Sequence, residues 1–127
     1  MEVRMNMSVG DILDRYSIVL LKIEHNPDSP YHNLERTALQ EEMRQLIKKY
    51  PLMDLDILLN HCKEINSQIW DLEADIRQGA LDNDLPEVGR RAIMIRRING
   101  LRVSFKNLIT ELLKDGFKET KQDHLSE

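Results

Sequence analysis

Residues 58–77 read LLNHCKEINSQIWDLEADIR, and their spacing decides the fold class. Leu58, Cys62, Ile65, Ile69, Leu72 and Ile76 recur at intervals of 4, 3, 4, 3 and 4 residues. That rhythm predicts a helix with one packing seam. Asn66, Trp70, Glu73 and Arg77 follow the same rhythm one residue later. One residue turns about 100° around a helix, so these four form a stripe beside the seam, at the edge of the core. An amide, an indole, a carboxylate and a guanidinium aligned there make half of a polar pocket. The same residues also fit an ordinary amphipathic helix with a boundary tryptophan and a Glu73/Arg77 ion pair.

Residues 86–114 repeat the pattern. Met94, Ile98, Leu101, Phe105, Leu108 and Leu112 are again spaced 4, 3, 4, 3 and 4, and polar Asn99, Arg102 and Lys106 follow one residue behind members of that seam. Gly79 reads as the closing residue of the first of these helices. Asp84, Pro86 and Glu87 read as the start of the second. The short turn between them predicts antiparallel neighbours, with positions summing to about 165 opposite each other. Asn66 then lies level with Asn99, Trp70 near Ile95, and Arg102 level with Lys63. Both polar stripes border one shared groove. Gly100 inside the helix costs roughly 1 kcal/mol relative to alanine, which points to a close helix contact or a ligand approach.

Upstream, residues 8–11 (Ser-Val-Gly-Asp) have capping-box form and predict a helix start. Val9, Ile12, Leu13, Tyr16, Val19, Leu20 and Ile23 then give an amphipathic first helix to about His25. Ile18 and Leu21 widen its apolar face. Asp14 and Lys22 flank Ile18 by four residues on either side and therefore lie along a second buried side. A charge there costs free energy unless it is paired or faces a ligand. Ser29 and Pro30 open the second helix. Its buried face is Leu39, Met43, Leu46, Ile47 and Tyr50, and Pro51 ends it. Glu35, Glu41, Glu42, Arg44, Lys48 and Lys49 form its solvated face. Asp54 caps the third helix.

The 127 residues fit a single helical domain, with 1–7 as an extended arm and 117–127 as a loose charged tail. Hydrophobic residues make up 41% and charged residues 31%, the balance of a globular chain and not a disordered one. The lone cysteine, Cys62, lies in the seam and excludes a disulfide framework within one chain. A reducing, cytoplasmic setting is the simplest inference. No apolar run approaches the ~20 residues of a membrane span. A net charge of -4 argues against general binding of DNA or RNA. The exception is local: residues 86–107 hold Arg90, Arg91, Arg96, Arg97, Arg102 and Lys106 against Glu87 alone. Arginine suits planar, bidentate capture of phosphate or carboxylate. A solvated cationic face paired with the acidic second helix explains the same residues.

Other chemistry is absent from the pattern. The five glycines form no phosphate loop. His25, His32, His61 and His124 lack metal-ligand spacing. Ser17 and Ser104 have no visible His/Asp partnership. Asp71 and Asp75 form an i,i+4 carboxylate pair suited to a divalent cation or simply to solvent. No catalytic set, resident metal or cofactor is therefore expected.

Three segments resemble a family of small uncharacterised bacterial proteins with relatives in tailed phages. Gly10-Asp11-Ile12-Leu13-Asp14 with Lys22 and Glu24 is similar to the family's opening G-E-L-[IL]-D-K-x-[ST]-I-L-x-x-K-x-E. Asn66, Trp70-Asp71-Leu72-Glu73 and Ile76-Arg77 are similar to its N-x-x-[LI]-W-D-[IL]-E-D-x-[IL]-R. Asn99, Arg102, Lys106 and Ile109 fit its N-D-x-R-A-x-[IL]-K-x-x-I-N. The chain departs from it at Ala74 and Gly100, where the family carries Asp, and at Thr110, which replaces Asn. Two missing carboxylates leave the pocket more cationic, which weakens a metal-carboxylate enzyme and favours anion capture. The resemblance implies a helical fold and is silent on substrate. It admits a phage origin, and phages encode oligomeric sponges that sequester nucleotide immune signals.

The expectation is an all-α, four-helix domain in which a long antiparallel hairpin of helices three and four is crossed by helix one. Two apolar sides on helix one point to a homo-oligomer. The expected function is non-enzymatic binding of a small anionic, nucleotide-type ligand, most concretely an ADP-ribose-type signal. The binding set is Asp14, Lys22, Asn66, Trp70, Glu73, Arg77, Asn99, Arg102 and Lys106. An enzyme on nucleotide-linked or surface-glycan substrates is the alternative, with Asp14, Asp71 or Glu73 as base or metal ligand. A structural helical adaptor is the third reading.

Overall fold

The computed structural model describes residues 7–113, which form four helices and no strand. The helices are α1 (Val9–His25), α2 (Pro30–Lys49), α3 (Leu55–Arg77) and α4 (Leu85–Leu113). The expected arm (1–7, save Met7) and tail (117–127) lie outside the described residues.

Each start is fixed by a side-chain cap that satisfies an otherwise orphaned amide. Ser8 Oγ accepts from the Asp11 amide at 3.1 Å, and Ser29 Oγ lies 3.5 Å from the His32 amide, with Pro30 at the first position of α2. Asp54 accepts from the Ile57 amide, and Asp84 from the Glu87 amide, both at 3.2 Å. Gly79 follows α3 with φ of 80°, a left-handed closing conformation that a side chain would strain.

α1 is the central element and packs on α2, α3 and α4. Val9, Ile12, Leu13, Tyr16, Val19 and Leu21 are buried along it, and Leu13 is wholly enclosed. Burying a leucine contributes about 1.5–3 kcal/mol, so α1 carries a large share of the core. α2 adds Leu39, Met43 and Leu46, while Ile47, expected in its buried face, is exposed. α2 packs mainly on α1 and so has room for one narrow buried stripe.

α3 and α4 depart from their apolar patterns. The fully buried line on α3 is Leu55, Leu59, Cys62 and Asn66. Of the expected seam only Cys62 belongs to that line, and Leu58, Ile65, Ile69, Leu72 and Ile76 are half-buried. The reason is that α3 has two neighbours: one line faces α1, the other is shared with α4. On α4 only Ile109 and Thr110 are buried. Met94, Leu101, Leu108 and Leu112 of its expected seam are exposed, whereas Arg102 and Lys106 turn inward. Gly100, expected at a close approach, faces open space. The close approach is at Gly10: a Cβ there would overlap the Lys106 carbonyl oxygen and come within 2.9 Å of Thr110 Oγ1. The start of α1 therefore rests directly on the backbone of α4.

Candidate functional site

The crossing at Gly10 brings the polar residues of α1 against the inward cations of α4. Asp14 is the centre. Its Oδ1 accepts from Asn66 Nδ2 of α3 at 3.0 Å and lies 3.2 Å from Arg102 Nε of α4. Asn66 Nδ2 also donates to Ser17 Oγ at 2.8 Å, and Ser17 Oγ donates to the Asp14 carbonyl at 2.7 Å. Burying Asn66 and Asp14 would cost several kcal/mol without these partners. Side-chain exposure is 9% for Asp14 and 30% for Arg102, so the pair sits at the edge of the core. Arg102 Nη1 donates to Asn99 Oδ1 at 2.9 Å. One turn on, Lys106 Nζ lies 3.1 Å from Asp11 Oδ1. The Arg102 Nε is buried against Asp14, and that ion pair, which is not aligned as a hydrogen bond, is its partner.

Two cavities open on either side of Arg102. The first, about 590 Å³, lies between α1 and α4 and is lined by Asp14, Arg15, Lys22, Glu35, Arg102 and Lys106 among others. Arg15 and Lys22 form no ion pair among the described residues. The second, about 480 Å³, is bounded by Ile18, Asn66, Glu73, Arg96, Asn99 and Arg102. Both volumes lie within the range of small-molecule sites, and both are polar for such sites. Beneath them, burial and then the Asp14 charge push the Cys62 thiol up to about 12, so it stays neutral and serves as core.

Asp14, Lys22, Asn66, Glu73, Asn99, Arg102 and Lys106 thus line or support these two cavities. Asn66 and Asn99 share the second one. Trp70 and Arg77 line neither. Trp70 stacks on His25 of α1 with ring centroids 4.4 Å apart, and the Arg77 guanidinium lies 5.4 Å from the indole centroid. Arg77 also pairs with Glu73 at 3.3 Å. Lys63 pairs with Glu24 of α1. Arg90 and Arg91 find their carboxylates on α4 and α3, not on acidic α2. Both bind Glu87, which Arg90 and then Arg91 hold below the usual carboxylate range through hydrogen bonds. Arg91 also reaches Asp75 at 3.3 Å and the Leu72 carbonyl at 3.4 Å.

Sequence reasoning missed Asp11, Arg15, Ser17, Glu35 and Arg96 as parts of the site. Asp11, Arg15, Ile18 and Lys22 do share one 4, 3, 4 stripe on α1, which would have found the first two. Glu35 carries no such signal, because its place depends on how α2 folds back on α1. Among the described residues no helix is long and apolar enough to cross a membrane, and no three His, Cys, Asp or Glu side chains gather as a metal site. No family model, curated protein or solved structure matches the chain.

Proposed function

We propose that the chain binds a small phosphate-bearing, nucleotide-type ligand around Arg102 and holds it without transforming it. The most concrete ligand is an ADP-ribose-type signal, and the most concrete role is a phage sponge against such a signal, acting in the cytoplasm of the infected cell. One observation carries the reading. A guanidinium held by Asp14 and Asn99 stands between two polar cavities, and the first cavity adds two cations, Arg15 and Lys22, that form no ion pair among the described residues. A phosphate offers the acceptors such donors lack. Arg102, Lys106, Lys22 and Arg15 would hold phosphates, while Asn66 and Asn99 would read ribose or base edges. Trp70, engaged by His25 and Arg77, anchors α3 to the end of α1 in this reading and does not stack on a base. The reading takes α3 and α4 as a long antiparallel hairpin and the working unit as a homo-oligomer.

Chromatography of a nucleotide mixture tests this. The protein is incubated with the mixture, filtered, then heated to release what it holds. The expected result is depletion of one phosphate-bearing species and its return intact. A new product would establish an enzyme instead. An unchanged mixture would favour the adaptor.

A further inference from the structure

The outer face of α4 is apolar where a monomer needs it polar. Met94 is 47% exposed, Leu101 62%, Leu108 57% and Leu112 58%. Together with half-buried Ile98 and Phe105 they keep the 4, 3, 4, 3, 4 spacing of a coiled-coil seam. Inward, Phe105 packs on His61 of α3 at 4.5 Å between ring centroids. Outward, the seam forms one wall of a groove of about 420 Å³ whose other wall is His61, Glu64, Ile65 and Gln68 of α3. Large exposed apolar strips of this kind mark an interaction surface.

We propose that this groove is covered by α4 of a second copy of the chain, running antiparallel, so that α3 and α4 of both copies close into a four-helix bundle. Three observations name the occupant. First, a heptad seam is complementary to itself: layering Met94 on Leu112, Ile98 on Leu108 and Leu101 on Phe105 of the second copy uses every seam residue twice about a two-fold axis. Second, the flanking charges fit the antiparallel direction. The residues preceding Ile98, Phe105 and Leu112 are Arg97, Ser104 and Glu111. In the antiparallel register Arg97 faces Glu111 of the second copy, twice by symmetry, and the small Ser104 residues meet at the axis. Third, the strip is large enough. From residue 94 to 112 it runs about 27 Å, and two helix widths make it about 20 Å across, about 540 Å² per partner, so that the two copies together reach the ~1,000 Å² at the lower bound of specific interfaces. The chain's own residues 114–127 offer Phe117 and Leu125 as their only large apolar side chains, too few to cover it.

The proposal stands apart from the ligand reading, because its test uses no ligand. Sedimentation velocity of the full chain across a hundredfold concentration range should give twice the chain mass at the upper end. Replacing Leu101→Glu together with Leu108→Glu touches exposed side chains only, so the variant should keep its helical circular dichroism and sediment as a monomer. Arg97→Glu should weaken the dimer about tenfold, and adding Glu111→Arg should restore it. A monomer at every concentration, or a dimer untouched by the double leucine change, overturns the proposal. A dimer that the charge reversal fails to restore overturns the antiparallel register.

Discussion

α1 and α4 both carry an apolar residue repeat of helical spacing and use it in opposite ways. On α1 the apolar residues go in, and the charges that accompany them are paired or line a cavity. On α4 Arg102, Lys106 and Thr110 face the core side, and Met94, Leu101 and Leu108 face out. The difference lies in neighbours. α1 is surrounded by three helices and must satisfy all of them. α4 lies against α1 and α3, and α1 offers it a carboxylate and a glycine beside the apolar core that takes in Ile109. Periodicity shows that a helix has a seam; it does not show what the seam meets.

The contrast makes its largest demand at Leu13. Leu13→Ala removes a fully enclosed side chain and should cost about 2–5 kcal/mol in denaturant unfolding. Gly10→Ala should cost about 1–3 kcal/mol, because the added methyl meets the Lys106 backbone, which cannot swing away. A Gly10→Ala protein as stable as the parent would show that α1 and α4 do not cross there.

Cys62 offers a pH test of the buried side. Its thiol is raised from 9.0 to about 12 in the folded chain. Folding therefore favours the protonated thiol. That stability is fully present below pH 9, where the unfolded thiol is still protonated, and is lost as pH rises towards 12. Cys62→Ala should remove this part of the decline when stability is followed by circular dichroism across that window. The native thiol should also react slowly with disulfide reagents at neutral pH. The smallest effect belongs to the outer face. Leu101→Ala, measured at dilutions where the chain is monomeric, should change unfolding free energy by no more than about 0.5 kcal/mol.

Much of this architecture was legible beforehand, for local reasons. The caps at Ser8, Ser29, Asp54 and Asp84 and the stop at Gly79 depend on nearby residues, and all sit where their chemistry places them. The inward turn of Arg102 and its need for a carboxylate were also readable, because a charge beside an apolar seam demands a partner; sequence left Glu73 and Asp14 both open, and the fold places Asp14 there. What was hidden is non-local. The burial of Asn66 depends on Ser17 and Asp14, which are 49 and 52 residues away. The exposure of Ile47 and of the Leu101 stripe depends on which helices fail to cover them. Gly10 and Gly100 look alike in sequence, and only the crossing decides which one is indispensable.

The central claim is that the cations α4 turns inward, joined by those of α1, form an anion site. Lys22→Ala tests it most directly, because Lys22 lines the first cavity and forms no ion pair among the described residues. Calorimetric titration with ADP-ribose should show binding by the parent chain, and binding weaker by about tenfold or more in the variant, since one charge-assisted hydrogen bond contributes about 1.5–3 kcal/mol. The variant's melting temperature should match the parent's. Equal affinity in the two proteins, or no heat of binding in the parent, would contradict the account.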